Sequence, residues 1–366
     1  MAITKLVADS LGAGATPNQS AFKNIIINGD MSIAQRGTSV SGITATGYNT
    51  CDRWRVGLTT LGTWTQSQDT DVPTGQGFAK SLKMDCTTAD GSPGTNDVLQ
   101  INYKMEGQQL QYLKKGTSSA ESTTLSFWIK ATKTGTNIVE LFDLDNSRQI
   151  SKSYTVSSSD TWEKKTITFD GDTSGAFGND NAASLQLDFF FGAGSNYTSG
   201  TLNTSWNSNT TANRAVGQVN HADSTSNNIY ITGVQLEAGT TASEFEFLPY
   251  DVNQRRCYRY YYVHATGSEE DIGVGGYYSG SHLFVNISFL VPMRSAPTAD
   301  ETSGTNYYIL NRNGGSDSFN DFAGGGSASK HEINLYNNTQ ASGTAGQVGY
   351  ARTSNASATL AFDSEL

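Results

Sequence analysis

The sequence predicts an all-β chain built as two sandwiches in series, joined near Tyr250. Three observations predict it. Apolar residues recur with period two in many short segments, the spacing that turns one face of a strand toward a core. Gly, Ser, Thr and Asn cluster between those segments, where turns need them. No apolar pattern of helical period extends over 10 residues. At 366 residues, two domains are the natural division.

Residues 1–22 read as a polar arm, because Gly12, Gly14 and Pro17 interrupt regular structure. Asn24-Ile-Ile-Ile-Asn28 then reads as a strand ending at the turn signal Gly29-Asp30. Leu125, Phe127 and Ile129 alternate with Ser126, Trp128 and Lys130; Leu185, Leu187 and Phe189 alternate again before Gly192. Trp162 precedes a strand at Thr166–Phe169, and residues 192–226 form a long Gly/Ser/Asn/Thr-rich loop, of a length that is functional or mobile in compact domains. Ile229 and Ile231 fall out of phase with Val234 and Leu236, so Gly233 marks a β-bulge. In Glu244–Tyr250, Phe245 and Phe247 share one face and Glu244 and Glu246 the other, the pattern of a further strand. One or two helical turns fit Asp251–Cys257, with Asp251 as N-cap. Beyond them Leu283, Val285, Ile287, Phe289 and Val291 mark one strand face, and Tyr307–Leu310, Ile333–Tyr336 and Thr359–Phe362 read as short strands.

Charged residues are 16% of the chain, against about 25% in ordinary domains. Hydroxyls and amides take their place on the surface, as in extracellular and virion β-proteins. Acids outnumber bases 34 to 24, a net charge of −10, which sets the chain against nucleic acid. Arg255-Arg256-Cys257-Tyr258-Arg259-Tyr260-Tyr261-Tyr262 interleaves bases and rings, but on this acidic background it reads as a packed strand or interface segment. Cys51, Cys86 and Cys257 lack metal or disulfide spacing and read as buried free thiols. Neither a signal-peptide core nor an apolar run of 18 residues is present, so the expectation is synthesis in a cytoplasm and no membrane insertion.

Catalytic signatures fail: Gly-x-Ser-x-Gly, His-Glu-x-x-His and the phosphate-binding Gly-rich loop are missing, and the four histidines stand apart. The expectation is a non-enzyme without cofactor. Asp143-Leu-Asp145-Asn-Ser147 begins like a calcium loop but lacks its Gly and distal Glu, so it reads as a solvated turn rather than a metal site. Sugar recognition instead needs flat aromatic faces beside amides and carboxylates. Trp64, Tyr197 and Trp206 stand in polar surroundings with no obvious core to fill, and are the glycan-binding candidates. The alternative for Trp206 is a ring that pins its own loop. Trp54, Trp128 and Trp162 sit in strand contexts and are assigned to packing.

Several phrases together carry a resemblance. Asn24-Ile-Ile-Ile-Asn-Gly-Asp-Met31 resembles the opening strand of jelly-roll carbohydrate-binding modules. Leu125-Ser-Phe-Trp-Ile-Lys130 is similar to their central strand, Trp162–Phe169 to an outward-running one, and Ile229–Leu236 to the closing strand. With Ala34-Gln-Arg-Gly37, Cys51-Asp-Arg-Trp54 and Gln235-Leu-Glu-Ala-Gly239, residues 1–262 resemble tail fibre and appendage proteins of tailed phages. The opening Met1–Gly14 is similar to those of marine and cyanobacterial phages. The resemblance implies a jelly-roll over 23–250, a smaller β-sandwich over 251–366 and an arm, 1–22, that docks on other virion proteins. It implies a structural protein of the virion tail that serves host attachment, self-associates as a homotrimer and has a host surface glycan as a possible partner. A capsid decoration protein is the alternative, and a host-glycan hydrolase a more distant one. The family's calcium carboxylates are replaced by Ser32 and Thr232-Gly233, which speaks against that metal.

Overall fold

A computed structural model describes residues 22–322 and 325–366. The expected docking arm, 1–22, lies outside the described residues apart from Phe22. The chain divides into two compact units, one reaching Tyr250 and including Leu366, the other Asp251–Glu365.

The first unit holds β1 (Ser39–Ile43), β2 (Gly47–Tyr48), β3 (Arg55–Thr59), β4 (Thr63–Asp69), β5 (Ser81–Thr88), β6 (Val98–Glu106), β7 (Thr123–Ala131), β8 (Gly135–Asp143), β9 (Arg148–Val156), β10 (Glu163–Phe169), β11 (Ala183–Ala193), β12 (Asn207–Ser208) and β13 (Asn228–Ala238). They form a six-stranded sheet, β1-β4-β5-β13-β7-β10, and a seven-stranded sheet, β12-β9-β8-β11-β6-β3-β2. All their pairings are antiparallel. The sheets close on each other as a jelly-roll sandwich. Phe127 of β7 meets Phe189 of β11 edge-on at 4.9 Å, and Trp54 packs on Phe189 at 6.4 Å. Trp54, Trp64, Phe127 and Phe189 are all fully buried.

Three expectations change here. Asn24–Asn28 is no strand. Its Asn side chains replace ladder bonds: the Asn24 amide donates to the Val234 carbonyl (3.0 Å), and Asn28 donates to the carbonyls of Ile33 and Asp52 (2.9 and 3.0 Å). Ile25, Ile26 and Ile27 still enter the core. Residues 192–226 are an ordered cover, with a helical turn (Ser195–Thr198), β12 and a 3₁₀ turn (Thr211–Asn213). Tyr197, Leu202 and Ala215 of this cover pack with Val98, Ile138 and Phe190. Glu244–Pro249 runs beside the sheet without joining it, although Phe245 and Phe247 do pack together, at 4.8 Å. The bulge is where the phase break put it: β13 shifts register against β7 between Thr232 and Gln235, with Gly233 at φ 61°.

The second unit opens with a helix, Tyr250–Tyr258. The strands that follow are β14 (Tyr261–Thr266), β15 (Asp271–Ser279), β16 (His282–Ser288), β17 (Thr298–Glu301), β18 (Tyr308–Arg312), β19 (Gly315–Phe319), β20 (Gly325–Ala328), β21 (Glu332–Asn337), β22 (Val348–Thr353) and β23 (Thr359–Asp363). A three-stranded sheet, β14-β23-β17, and a seven-stranded one, β19-β18-β22-β15-β16-β21-β20, enclose a core that includes Leu283, Val285, Tyr308, Phe319, Leu335 and Phe362. All three cysteines are buried thiols, none of them in a disulfide.

Candidate functional site

The bulge in β13 shapes a surface of the first unit where rings and polar groups converge on open space. A pocket of about 200 Å³ is lined by Gln76, Phe78, Ser126, Trp128, Lys164, Gly233, Glu244, Phe245 and Phe247. Register brings its floor together: Trp128 of β7 faces Lys164 of β10 as a direct cross-strand partner, with Ser126 two residues along. The β4–β5 connection supplies Gln76 and Phe78, and the segment after β13 supplies Glu244, Phe245 and Phe247.

Two devices hold the far wall. A Cβ at Gly233 would stand 2.5 Å from the Phe78 ring, so only glycine lets that ring close over the bulge, and φ 61° suits glycine as well. Phe78 then meets Phe245 and Phe247, each at 5.1 Å. The buried Gln235 and Glu237 tie the returning chain down. Glu246 N–H donates to Gln235 Oε1 (2.8 Å), Ser243 N–H donates to Glu237 Oε1 (2.8 Å), and Asn24 N–H donates to Glu246 Oε2 (2.9 Å). The phrase Gln235-Leu-Glu237 is thus the clamp of the pocket wall. Trp128 is half-buried, while Gln76, Lys164, Glu244 and Phe247 are exposed. The pocket offers apolar rings, an amide, a hydroxyl, an ammonium and a carboxylate to one small ligand. Its volume is below the range of about 300–1,000 Å³ for drug-sized ligands.

The sequence-predicted residues lie elsewhere and are not brought together. Trp64 is fully buried, its indole N–H donating to the Leu61 carbonyl at 2.8 Å, so it presents no face to a sugar; it shares the buried face of β4 with Gln66 and points into the core. Tyr197 packs on Phe190 at 6.5 Å within the loop cover. Trp206 donates its indole N–H to the Asp170 carbonyl (2.7 Å), and its ring lies 5.3 Å from the Lys115 ammonium. It pins its own loop. Trp128, assigned to packing by its strand context, is the ring at the pocket. The period-two pattern already placed it on the face opposite Phe127, which was the available signal.

Asp143 is likewise not in a solvated turn. The buried Lys115 Nζ sits 2.5 Å from Asp143 Oδ2 and 3.0 Å from Asp172 Oδ2, and donates to the carbonyls of Ser174 (2.9 Å) and Gly175 (2.8 Å). An internal ammonium thus fills a cage of oxygens of the kind that suits a hard cation. Arg148 adds a bidentate pair to Asp172, at 2.6 and 2.9 Å. At the two positions where the resemblance led to an expectation of calcium carboxylates, Thr232 Oγ1 donates to the Lys80 carbonyl (2.7 Å), and Ser32 Oγ donates to Asp30 Oδ1 (3.1 Å). Among the described residues, no group of three or more His, Cys, Asp or Glu side chains could hold a metal ion.

A second buried charge cluster anchors the loop cover. Glu140 and Asp188 face each other across β8 and β11, both fully buried. Arg214, from the cover, reaches Glu140 Oε2 at 2.5 Å and Asp188 Oδ2 at 3.2 Å, with its guanidinium 4.7 Å from the Phe142 ring and 5.7 Å from that of Phe190. One guanidinium serves two carboxylates. Burial pushes both carboxyls up, Glu140 to about 7, against the opposing pull of Arg214.

No known family's sequence profile matches this chain, and no curated protein does. Solved structures do resemble it. The enzymatically active domain of bacteriophage CBA120 tailspike protein 4 is 14% identical over 60% of this chain, with a TM-score of 0.32; the match covers 22% of that longer chain. The N-terminal cellulose-binding domain of Cellulomonas fimi β-1,4-glucanase C is 13% identical over 57% of this chain and 100% of its own, with a TM-score of 0.29. A family 11 carbohydrate-binding module from Clostridium thermocellum, in complex with a β-1,3-1,4-mixed-linked tetrasaccharide, is 10% identical over 56% of this chain and 98% of its own, with a TM-score of 0.28.

Proposed function

We propose that this chain is a non-enzymatic structural protein of a tailed-phage virion, a tail fibre or appendage subunit that attaches to the host by holding a surface sugar in the Trp128 pocket. The observation that carries the sugar reading is the convergence of the Trp128, Phe78, Phe245 and Phe247 rings with Gln76, Ser126, Lys164 and Glu244 around about 200 Å³. Rings accept the C–H face of a pyranose, and the amide, hydroxyl and charged groups take its hydroxyls. That volume suits one sugar residue or the end of a chain. The pocket wall carries a single carboxylate, Glu244, whereas glycoside hydrolysis generally uses a pair, and this supports binding without turnover. The virion assignment rests on the sequence phrases of residues 1–262. Two experiments test the two halves separately. A glycan array probed with the purified protein should give selective signal that Trp128→Ala abolishes; an array without signal counts against the sugar. Antibody labelling of intact particles under the electron microscope should mark the tail in few copies. Labelling of the head, or none, removes the tail assignment.

A further inference from the structure

We infer that the outer face of the seven-stranded sheet in the second unit is a self-association surface, its occupant a second copy of this chain. The proposal rests on the tail-fibre reading above and localises the self-association that the resemblance implies. An antiparallel sheet with one solvated face shows clean apolar-polar alternation. In β15 and β22 that alternation breaks. Ile272 and Tyr277 point into the core, yet Val274 is 68% and Tyr278 80% exposed on the other side. In β22, Ala351 is buried, while Val348 and Tyr350 are 65% and 50% exposed.

Register makes these one patch. Val274 faces Tyr350, and Gly276 lies between Val348 on one side and Phe284 on the other. Phe284 in turn faces Tyr336 of β21. Six gaps of about 4.8 Å by five residues of about 3.4 Å give a flat area of about 500 Å². A rough surface of that extent approaches the roughly 800 Å² per partner of a standard interface.

Charge selects the occupant. Among the described residues, the rows across the face carry few fixed charges: Arg352 on β22 faces Asp271 on β15 and lies 3.8 Å from Glu269, and Glu332 stands on β21, on a chain of net charge −10. Two copies meeting here bring their sparsely charged faces together and keep the more acidic remainder of each surface apart. A sugar is disfavoured because the polar groups and rings are already engaged with one another. Asn334 donates to Asn286 Oδ1 at 2.7 Å, and His282 stacks on Tyr336 at 5.2 Å and meets Tyr278 at 5.9 Å.

The test is the solution mass of the full chain by light scattering at micromolar concentration. The wild type should give an integral multiple of 39.2 kDa, and Val274→Lys and Tyr350→Glu should each shift it to 39.2 kDa with an unchanged far-ultraviolet spectrum. Both sites are exposed, so these variants leave the core untouched; Trp128→Ala should leave the mass unchanged. A monomeric wild type overturns the proposal, as does an oligomer that survives both substitutions. Glycan-array signal lost on Tyr278→Ala and kept on Trp128→Ala overturns it in favour of a sugar on this face. If Trp128→Ala silences the array while the masses behave as stated, pocket and interface both stand.

Discussion

Replacing Glu140 by Gln should stabilise the protein at pH 8 and much less at pH 5. Glu140, Asp188 and Arg214 place two buried carboxylates against one guanidinium, so the neutral cluster holds one proton between the acids. Burial, the dominant cause, lifts Glu140 from its ordinary 4.5 to about 7. A carboxyl whose folded value lies above its unfolded value lends stability that is complete below 4.5 and is lost as pH rises through about 7. The difference corresponds to about 3 kcal/mol, at about 1.4 kcal/mol per pH unit. Gln mimics the protonated acid at every pH and removes that loss. The assay is urea denaturation of wild type and Glu140→Gln at pH 5 and pH 8. The readout is the difference between the two proteins, because His221, held near 3 by burial, contributes a slope of the opposite sign to both. A variant less stable than the wild type at pH 8, or an equal difference at both pH values, refutes the shared-proton account.

Three further outcomes follow from the same geometry. Lys115→Met should cost about 3–5 kcal/mol of unfolding free energy in a denaturant titration, because it strands the buried Asp143 beside Asp172 without its cation; a neutral effect contradicts the cage. Gly233→Ala should cost about 1–3 kcal/mol and weaken sugar binding as well, since its Cβ meets the Phe78 ring at 2.5 Å and φ is 61°; thermal melting and titration calorimetry read the two effects. Trp206→Ala should lower the melting temperature yet leave glycan binding intact, because that ring covers Lys115 and not the pocket; lost binding with unchanged stability reverses the assignment.

The fold was legible wherever side-chain period met a single buried face. Leu125, Phe127 and Ile129 give β7, and the phase break at Gly233 gives the bulge, because a one-residue slip turns every side chain over. Asn24–Asn28 was misread since three successive isoleucines look like a strand; what decided otherwise were Asn amides bonding to distant carbonyls, Val234 and Asp52 among them. The site was harder to read. A Trp in polar sequence looked exposed, yet Trp64 lies in the core and Trp206 is bonded over a buried lysine. Trp128 looked internal because of its strand context, and β7 is indeed buried at every residue but Trp128 itself. Its role depends on Lys164, Phe78 and Phe247 arriving from elsewhere in the chain, and sequence spacing does not encode that meeting.

The central claim, that the Trp128 pocket holds the sugar, is tested most directly by a nuclear magnetic resonance titration of the protein with the strongest ligand from the array, following its five tryptophan indole N–H signals. The account predicts that the Trp128 signal moves with saturation while those of Trp64 and Trp206 stay in place. A shift of Trp206 with Trp128 unmoved would contradict it.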